Sequence, residues 1–461
     1  MMLWRVPGRS RSAAAVAWRL PGAALALACL ALAPPAGESG AWAAATAGVP
    51  AGDGPRSLSA SARGDFEAVI REQGERLARS RAAGDRNGEV DALLRWGEAQ
   101  VALGPLARGL DDLAAALALA EAIGDPRRVA IAAGSVGGAY LLAGYPEEAR
   151  PRLERSLAVA REASLPDVAA ITLNNLGNLH AGQGGVRPAL DAYGEGERLA
   201  LAAGDTAGAA RAGLNAARLL VRTGDRGAAG DRLRDVLRRL DGLPPGHEHA
   251  LSLVAVGRLL RELEGTGGGG GNEEAVAALR RAAGMAAGLG DARTESHALG
   301  HLGLVFEETG RSGEARAATR RALFLAQAAD APEVLYRWQW QVGRLQAAAG
   351  ELDAAIAAYR GAVRTLQALR LDLPDFDPAT GRSLFREAVG PVYLELADLL
   401  LRRSTLAGGD RPGEGYLLEA RRTIELLKTA ELENYFEDDC VADLQRRVRE
   451  VDRLDARTAA V

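Results

Sequence analysis

Between residues 171 and 200, in ITLNNLGNLHAGQGGVRPALDAYGEGERLA, apolar residues return every three or four positions on either side of a glycine break. That spacing predicts two short helices, each with one apolar face. The landmarks are Leu173, Leu176 followed by Gly177, then Gly184, Ala189 and Tyr193. They recur along the chain in one register. The equivalents of Gly177 are Gly97, Gly137, Ala217, Gly257, Gly303 and Gly343, at successive separations of 40, 40, 40, 40, 46 and 40 residues. A fixed period of this size predicts stacked helical units, none of which can bury its apolar face alone.

Each landmark has a physical reason. The large residue before the small one packs into its own unit, and the small one lets the paired helix cross closely. The glycine seven positions later ends the first helix, because a left-handed cap costs glycine little. The alanine five further on opens the contact face of the second helix, and the large residue four after it shares that face. The pattern gives seven pairs. Trp96-Gly97, Val136-Gly137, Leu176-Gly177, Ala216-Ala217, Val256-Gly257, Leu302-Gly303 and Val342-Gly343 mark their first helices. A glycine-rich insertion, residues 265–271, accounts for the longer fifth period. Residues 65–83 read as a lone second helix, an N-terminal cap. Between units, Gly84-Asp85, Gly124-Asp125, Gly204-Asp205 and Gly290-Asp291 supply a helix stop and then an N-cap candidate.

This pattern resembles the tetratricopeptide repeat. That family's period is about 34 residues; the longer spacing here is similar to that of kinesin light chains, whose Leu-Asn-Asn-Leu-Gly wording is matched by Leu173 to Gly177. HEAT and armadillo repeats have similar periods but lack this glycine spacing. The resemblance covers residues 87–369. It implies an all-α fold, a right-handed superhelical solenoid of about seven to eight helix-turn-helix repeats.

Past the array, LDLPDFDP at 371–378 breaks the helical rhythm. Residues 383–403 and 414–436 then read as two amphipathic helices, with Ala420, Ile424 and Leu427 in second-helix positions. They form a degenerate eighth repeat that caps the stack. Three strings, YRWQWQVGR (336–344), FREAVGPVY (385–393) and AELENYF (430–436), resemble the segment joining repeats to the caspase-like CHAT domain in bacterial proteins. The resemblance implies a regulatory half whose effector domain, with its catalytic His and Cys, is not in this sequence. No residue here inherits those roles.

Composition narrows the picture further. Of 461 residues 48% are hydrophobic but only 4% aromatic, so alanine supplies most of the apolar surface and suits close helix packing. Lys+Arg 56 nearly balances Asp+Glu 60, which favours neither nucleic acid nor an acidic membrane surface. Only Lys428 is lysine. Such a skew looks like codon bias, so abundant arginine by itself is no sign of phosphate binding. At the N-terminus Arg5, Arg9, Arg11 and Arg19 precede the apolar run 20–32, with small-residue cleavage candidates at 41–47. This is the layout of a secretory signal peptide over 1–47, followed by a flexible leader over 48–62. The run is short of the ~20 apolar residues a span needs. The expectation is export to the periplasm or beyond, the alternative being an uncleaved signal anchor. The remaining divisions are a solenoid at 63–370, a linker at 371–382, the C-terminal pair at 383–455 and a tail at 456–461.

Candidate chemistry is sparse. Cys29 lies in the apolar run, and removal of that run leaves Cys440 with no disulfide partner. The acidic neighbours Glu437, Asp438 and Asp439 would raise the Cys440 thiol pKa, against a nucleophilic role. His297 and His301 share a helix face, but Ala298 stands where a zinc protease needs Glu. His247 and His249 lie in a Pro-Pro-Gly turn without a third ligand. The 265–271 glycines lack the Lys-Ser/Thr of a phosphate loop. Asp372, Asp375 and Asp377 lack the closing Glu of a calcium loop, since Arg386 stands there. No catalytic residue, metal or cofactor is expected.

What remains is the face of the first helices, which in tetratricopeptide arrays lines the concave side. The residue after the small position is Asn178, Arg218, Arg258 or Arg344 in four repeats, and Asn174, Arg211, Arg222 and Arg261 fall nearby. Arg and Asn forks suit carboxylates and peptide backbones. They predict a basic groove centred on repeats three to five that reads an acidic or extended segment of a protein or peptide. The alternative is a solvated arginine-rich face, with Asn174 bracing neighbouring repeats. Two function classes follow: a non-catalytic interaction scaffold, or the sensing part of a caspase-like protease.

Overall fold

The computed structural model describes residues 65–103, 106–264, 271–369, 389–406 and 412–435. The signal peptide, leader, linker and tail expected from sequence lie outside them, as do Cys29, Cys440, the glycine-rich stretch 265–270 and the aspartates at 372, 375 and 377.

Every described element is a helix. Helix α1 (Phe66–Ala83) stands alone as the expected cap. Seven pairs follow: α2 (Arg86–Leu103) with α3 (Leu106–Ile123), α4 (Pro126–Leu142) with α5 (Pro146–Glu162), α6 (Pro166–Gly182) with α7 (Val186–Ala202), and α8 (Thr206–Thr223) with α9 (Arg226–Leu240). Next come α10 (His247–Glu264) with α11 (Gly271–Leu289), α12 (Ala292–Glu308) with α13 (Ser312–Ala328), and α14 (Pro332–Ala348) with α15 (Leu352–Leu369). An eighth pair, α16 (Gly390–Leu406) and α17 (Pro412–Tyr435), packs on α15. No described helix is long and apolar enough to cross a membrane.

The small residue of each first helix does what its register predicts. A Cβ on Gly137 would lie 2.7 Å from Leu153 Cγ, and one on Gly257 would lie 2.5 Å from Leu279 Cγ. Gly177 and Gly343 face the rings of Tyr193 and Tyr359. In the sixth pair Thr319, which the sequence pattern passes over, takes this place against Gly303. Its hydroxyl donates to the Ala315 carbonyl (2.7 Å), so a polar residue is accepted in the core.

The joints follow the glycine pattern too. Gly144, Gly184, Gly224, Gly310 and Gly350 end first helices with positive φ, and Gly84, Gly124, Gly204 and Gly290 do so between pairs. At those second joints Asp85, Asp125, Asp205 and Asp291 accept the N–H three residues on, at 2.9, 3.2, 2.8 and 3.0 Å. Three joints depart from this rule, and the stretch 241–246 before α10 holds no residue of positive φ. Ser164 and Asp330 hold the left-handed conformation without being glycine, and Pro166 and Pro332 open the next helix in place of a capping side chain.

First helices of successive pairs pack against one another, while second helices of successive pairs scarcely meet. A stack with closer first helices bends toward the first-helix side. The Phe66 ring of the cap meets the His247 ring of the fifth pair edge-on, centroids 5.7 Å apart.

The string at 336–344 has a packing explanation. Tyr336 and Trp338 are among the largest fully buried side chains. The Trp338 indole sits over Gly300 and donates to Ser296 Oγ (3.0 Å). Trp340 donates to Glu395 of the eighth pair (2.7 Å).

Candidate functional site

The candidate surface is the inner, first-helix face. Three rows build it: residues six before, two before and one after the small landmark. Because every first helix is in register, each row runs from pair to pair.

The structure gives each expected groove residue a partner within the stack. Asn174 Oδ1 accepts from Asn215 Nδ2 (3.0 Å), bracing the third pair against the fourth, and Asn215 Oδ1 accepts from Arg218 Nη1 (2.8 Å). Asn178 Oδ1 accepts from the Tyr193 hydroxyl (2.8 Å), whose own proton is held more tightly than usual by burial. Arg222 donates to the Ala181 carbonyl (2.7 Å), again from fourth pair to third. Arg211 lies 3.9 Å from Asp205, and Arg258 lies 3.8 Å from Glu262. Arg261 reaches Glu308 of the sixth pair at 2.5 Å. Arg344 forks onto Glu307 at 3.0 and 3.1 Å, with its guanidinium 4.7 Å from the Trp340 ring centre. Four of these contacts, Asn174–Asn215, Arg222–Ala181, Arg261–Glu308 and Arg344–Glu307, link successive first helices. Links of this kind fix side-chain positions before any ligand arrives.

Several residues on this face escaped the sequence reading. Asn215 is the hinge of the Asn174–Arg218 chain. Glu98, in the first pair at the Arg218 register, accepts from Ser135 Oγ (2.9 Å). Burial pushes its carboxyl up to about 7, against the opposing pull of Arg95 and the Ser135 bond. Arg337 lies six before Gly343, the register of Arg211 and of His297. His297 and His301 are near-parallel, centroids 6.5 Å apart, and His301 meets Trp338 edge-on at 5.7 Å. Burial first, then Arg337 and Arg293, push His297 down to about 3. Burial, then Arg258 and Arg261, hold His301 well below the ordinary histidine value. Arginines of repeats five to seven thus face these two histidines. The row register would have found Arg337, because it repeats Arg211; the histidine environment is a product of packing.

His247 and His249 are not in the turn the sequence suggested. They open α10, and both are buried. His247 Nδ1 lies 2.6 Å from Asp291 Oδ2, the N-cap of α12. Among the described residues no group of His, Cys, Asp and Glu could hold a metal ion.

The stack is built of tetratricopeptide-like helix pairs. No protein-family model matches the chain, and no curated protein matches it in sequence. Solved structures similar to it include BtubC (BKLC) from P. vanneervenii, 16% identical over 58% of this chain and 92% of that one, TM-score 0.36. The apo quorum sensor NprR from B. thuringiensis is 13% identical over 65% and 84%, TM-score 0.48. A Rap protein complexed with Competence and Sporulation Factor is 12% identical over 81% and 99%, TM-score 0.43.

Proposed function

We propose that this chain is a non-catalytic scaffold whose inner face holds an extended, acidic segment of a protein or peptide partner. The observation that carries the reading is the ladder of Asn178, Arg218, Arg258 and Arg344 at one register, on the side toward which the stack bends. The amide and guanidinium groups of this ladder are set in place by Tyr193, Asn215 and Glu307. Arg forks in such a setting suit carboxylates and backbone carbonyls.

Binding of fluorescent acidic decapeptides to the full chain at low and high salt tests this reading. Replacing Arg218 and Arg258 together by Glu is expected to weaken binding at least about tenfold at low salt and to flatten its salt dependence. Unchanged affinity and an unchanged salt slope would sink the groove and leave these arginines as struts of the stack.

The second reading makes the array the sensing part of a caspase-like protease. It draws on the strings at 336–344, 385–393 and 430–436. Within the first of these, Tyr336 and Trp338 are buried and Trp340 donates to Glu395 of the eighth pair. Export remains part of the proposal, on the basic, apolar and small-residue order of residues 1–47.

A further inference from the structure

Counted one residue after the small landmark, the first helices of pairs one to five read Glu98, Gly138, Asn178, Arg218 and Arg258. The row runs from a carboxyl, through a position with no side chain and an amide, to two guanidinium groups. Its basic end belongs to the proposed groove; its acidic end has no part in it so far. A row with opposite signs at its two ends can tell the two ends of a bound segment apart.

Two acids of the first pair stand in the inner rows, and they are held differently. Asp91, six before the landmark, takes the fork of Arg128 at 3.0 and 3.1 Å, and Arg76 of the cap lies 3.9 Å away. A guanidinium already matches its charge. Glu98 is half-buried, and what reaches it from the second pair is a neutral hydroxyl, Ser135 Oγ at 2.9 Å. Burial lifts its carboxyl to about 7, against the pull of Arg95, three residues earlier on the same helix, and of the Ser135 bond. A carboxyl lifted by desolvation is only partly charged at neutral pH. A cation brought against it restores the charge, and the pair gains from the same low dielectric that raised the pKa.

The path along the row suits an extended chain. Gly138 stands between Glu98 and Asn178, and a Cβ there would lie 3.3 Å from Asn175 Nδ2. Without one, a backbone can approach the face closely at this point. Successive first helices pack at roughly 10 Å, so three steps place Glu98 about 30 Å from Arg218. An extended chain covers about 3.3 Å per residue, so roughly nine residues join the two.

We infer that Glu98 is a specificity-determining residue of the inner face: it receives a cationic group, an ammonium or guanidinium, carried by the bound segment roughly nine residues from the acidic group held at Arg218. The inference rests on the groove reading and adds to it a direction for the segment.

Affinities of fluorescent decapeptides for the full chain test it. All have blocked termini and three glutamates at one end. At the other end stands either Lys or Gln, and both chain orders are made. The quantity read is the ratio of the Lys affinity to the Gln affinity. In at least one order the Lys peptide is expected to bind at least about fivefold more tightly at pH 8.5, and the ratio to fall to about one at pH 5.5. The sign follows from Glu98, which is charged above about 7 and neutral below it. The Lys and Glu of the peptides keep their charges at both values. In Glu98→Gln the ratio is expected to stay near one throughout. The amide of the same shape keeps an acceptor for Ser135, and the ratio cancels any general loss of binding. A ratio near one in the parent chain in both orders, or a ratio that Glu98→Gln leaves unchanged, would overturn the inference and leave the groove standing. Failure of every peptide to bind would overturn the groove and this inference with it.

Discussion

At the scale of single residues, the joints between pairs show where backbone geometry constrains sequence. Four of them use glycine with φ near +70°, at Gly84, Gly124, Gly204 and Gly290. Ser164 and Asp330 take the same conformation at φ 54° and 46°. A side chain in that region crowds the following carbonyl and costs roughly 1–2 kcal/mol. Glycine removes that cost but returns part of it as unfolded-chain entropy. Ser164→Gly and Asp330→Gly are therefore each expected to stabilise the fold by about 0.5 kcal/mol, seen as a raised urea midpoint at unchanged slope. The glycine joints were legible because glycine and aspartate together announce a stop and a start. Ser164 and Asp330 were not, since only the chain path on both sides requires their conformation.

At the scale of helices, the fifth and sixth pairs are tied by one buried polar contact. Burial works against a charged His247 ring, but its hydrogen bond to Asp291 and that carboxylate's charge outweigh this, so the His247 pKa lies above its ordinary value. Asp291 is held below its own, because its bonds to His247 and Thr294 overcome desolvation. Their signs define a window. The histidine contribution is full below about pH 6.5 and fades as pH rises through the raised pKa. The aspartate contribution is full above about pH 4 and fades in acid. His247→Gln is expected to cost about 1 kcal/mol at pH 6 and distinctly less at pH 9, measured by urea denaturation at both values. The sequence places two histidines after Pro244-Pro245-Gly246 and an N-cap aspartate 44 residues on. Only the crossing of α10 and α12 joins them.

At the scale of the molecule, the stack is a chain of neighbour contacts. Its buried residues fall into successive clusters, one spanning repeats four to six and another the last two pairs. In such an array a local defect is felt by its neighbours and little beyond. Tyr393 is buried in the last cluster. Tyr393→Ala is expected to cost about 3 kcal/mol locally and to speed amide exchange in α14 to α17, leaving α1 to α7 as they were. Equal acceleration throughout would mean that the bend, closed by Phe66 against His247, makes the array one cooperative unit.

The sequence by itself determined the period, the two-helix unit, the small-to-large contact of each pair, the capped joints and the lone N-terminal cap helix. These follow from spacing within about 40 residues, where helical periodicity and backbone sterics act. It also named the face on which Asn174, Asn178, Arg211, Arg218, Arg222, Arg258, Arg261 and Arg344 would fall. Only the tertiary structure decided what those groups do to one another. The Asn174–Asn215–Arg218 chain, the fork of Arg344 on Glu307 and the neutral His297–His301 pair depend on how closely successive first helices pack. Whether an arginine faces solvent, a neighbour's carboxylate or a buried imidazole is set by distance and desolvation across elements. One strand of sequence fixes the register but not those distances.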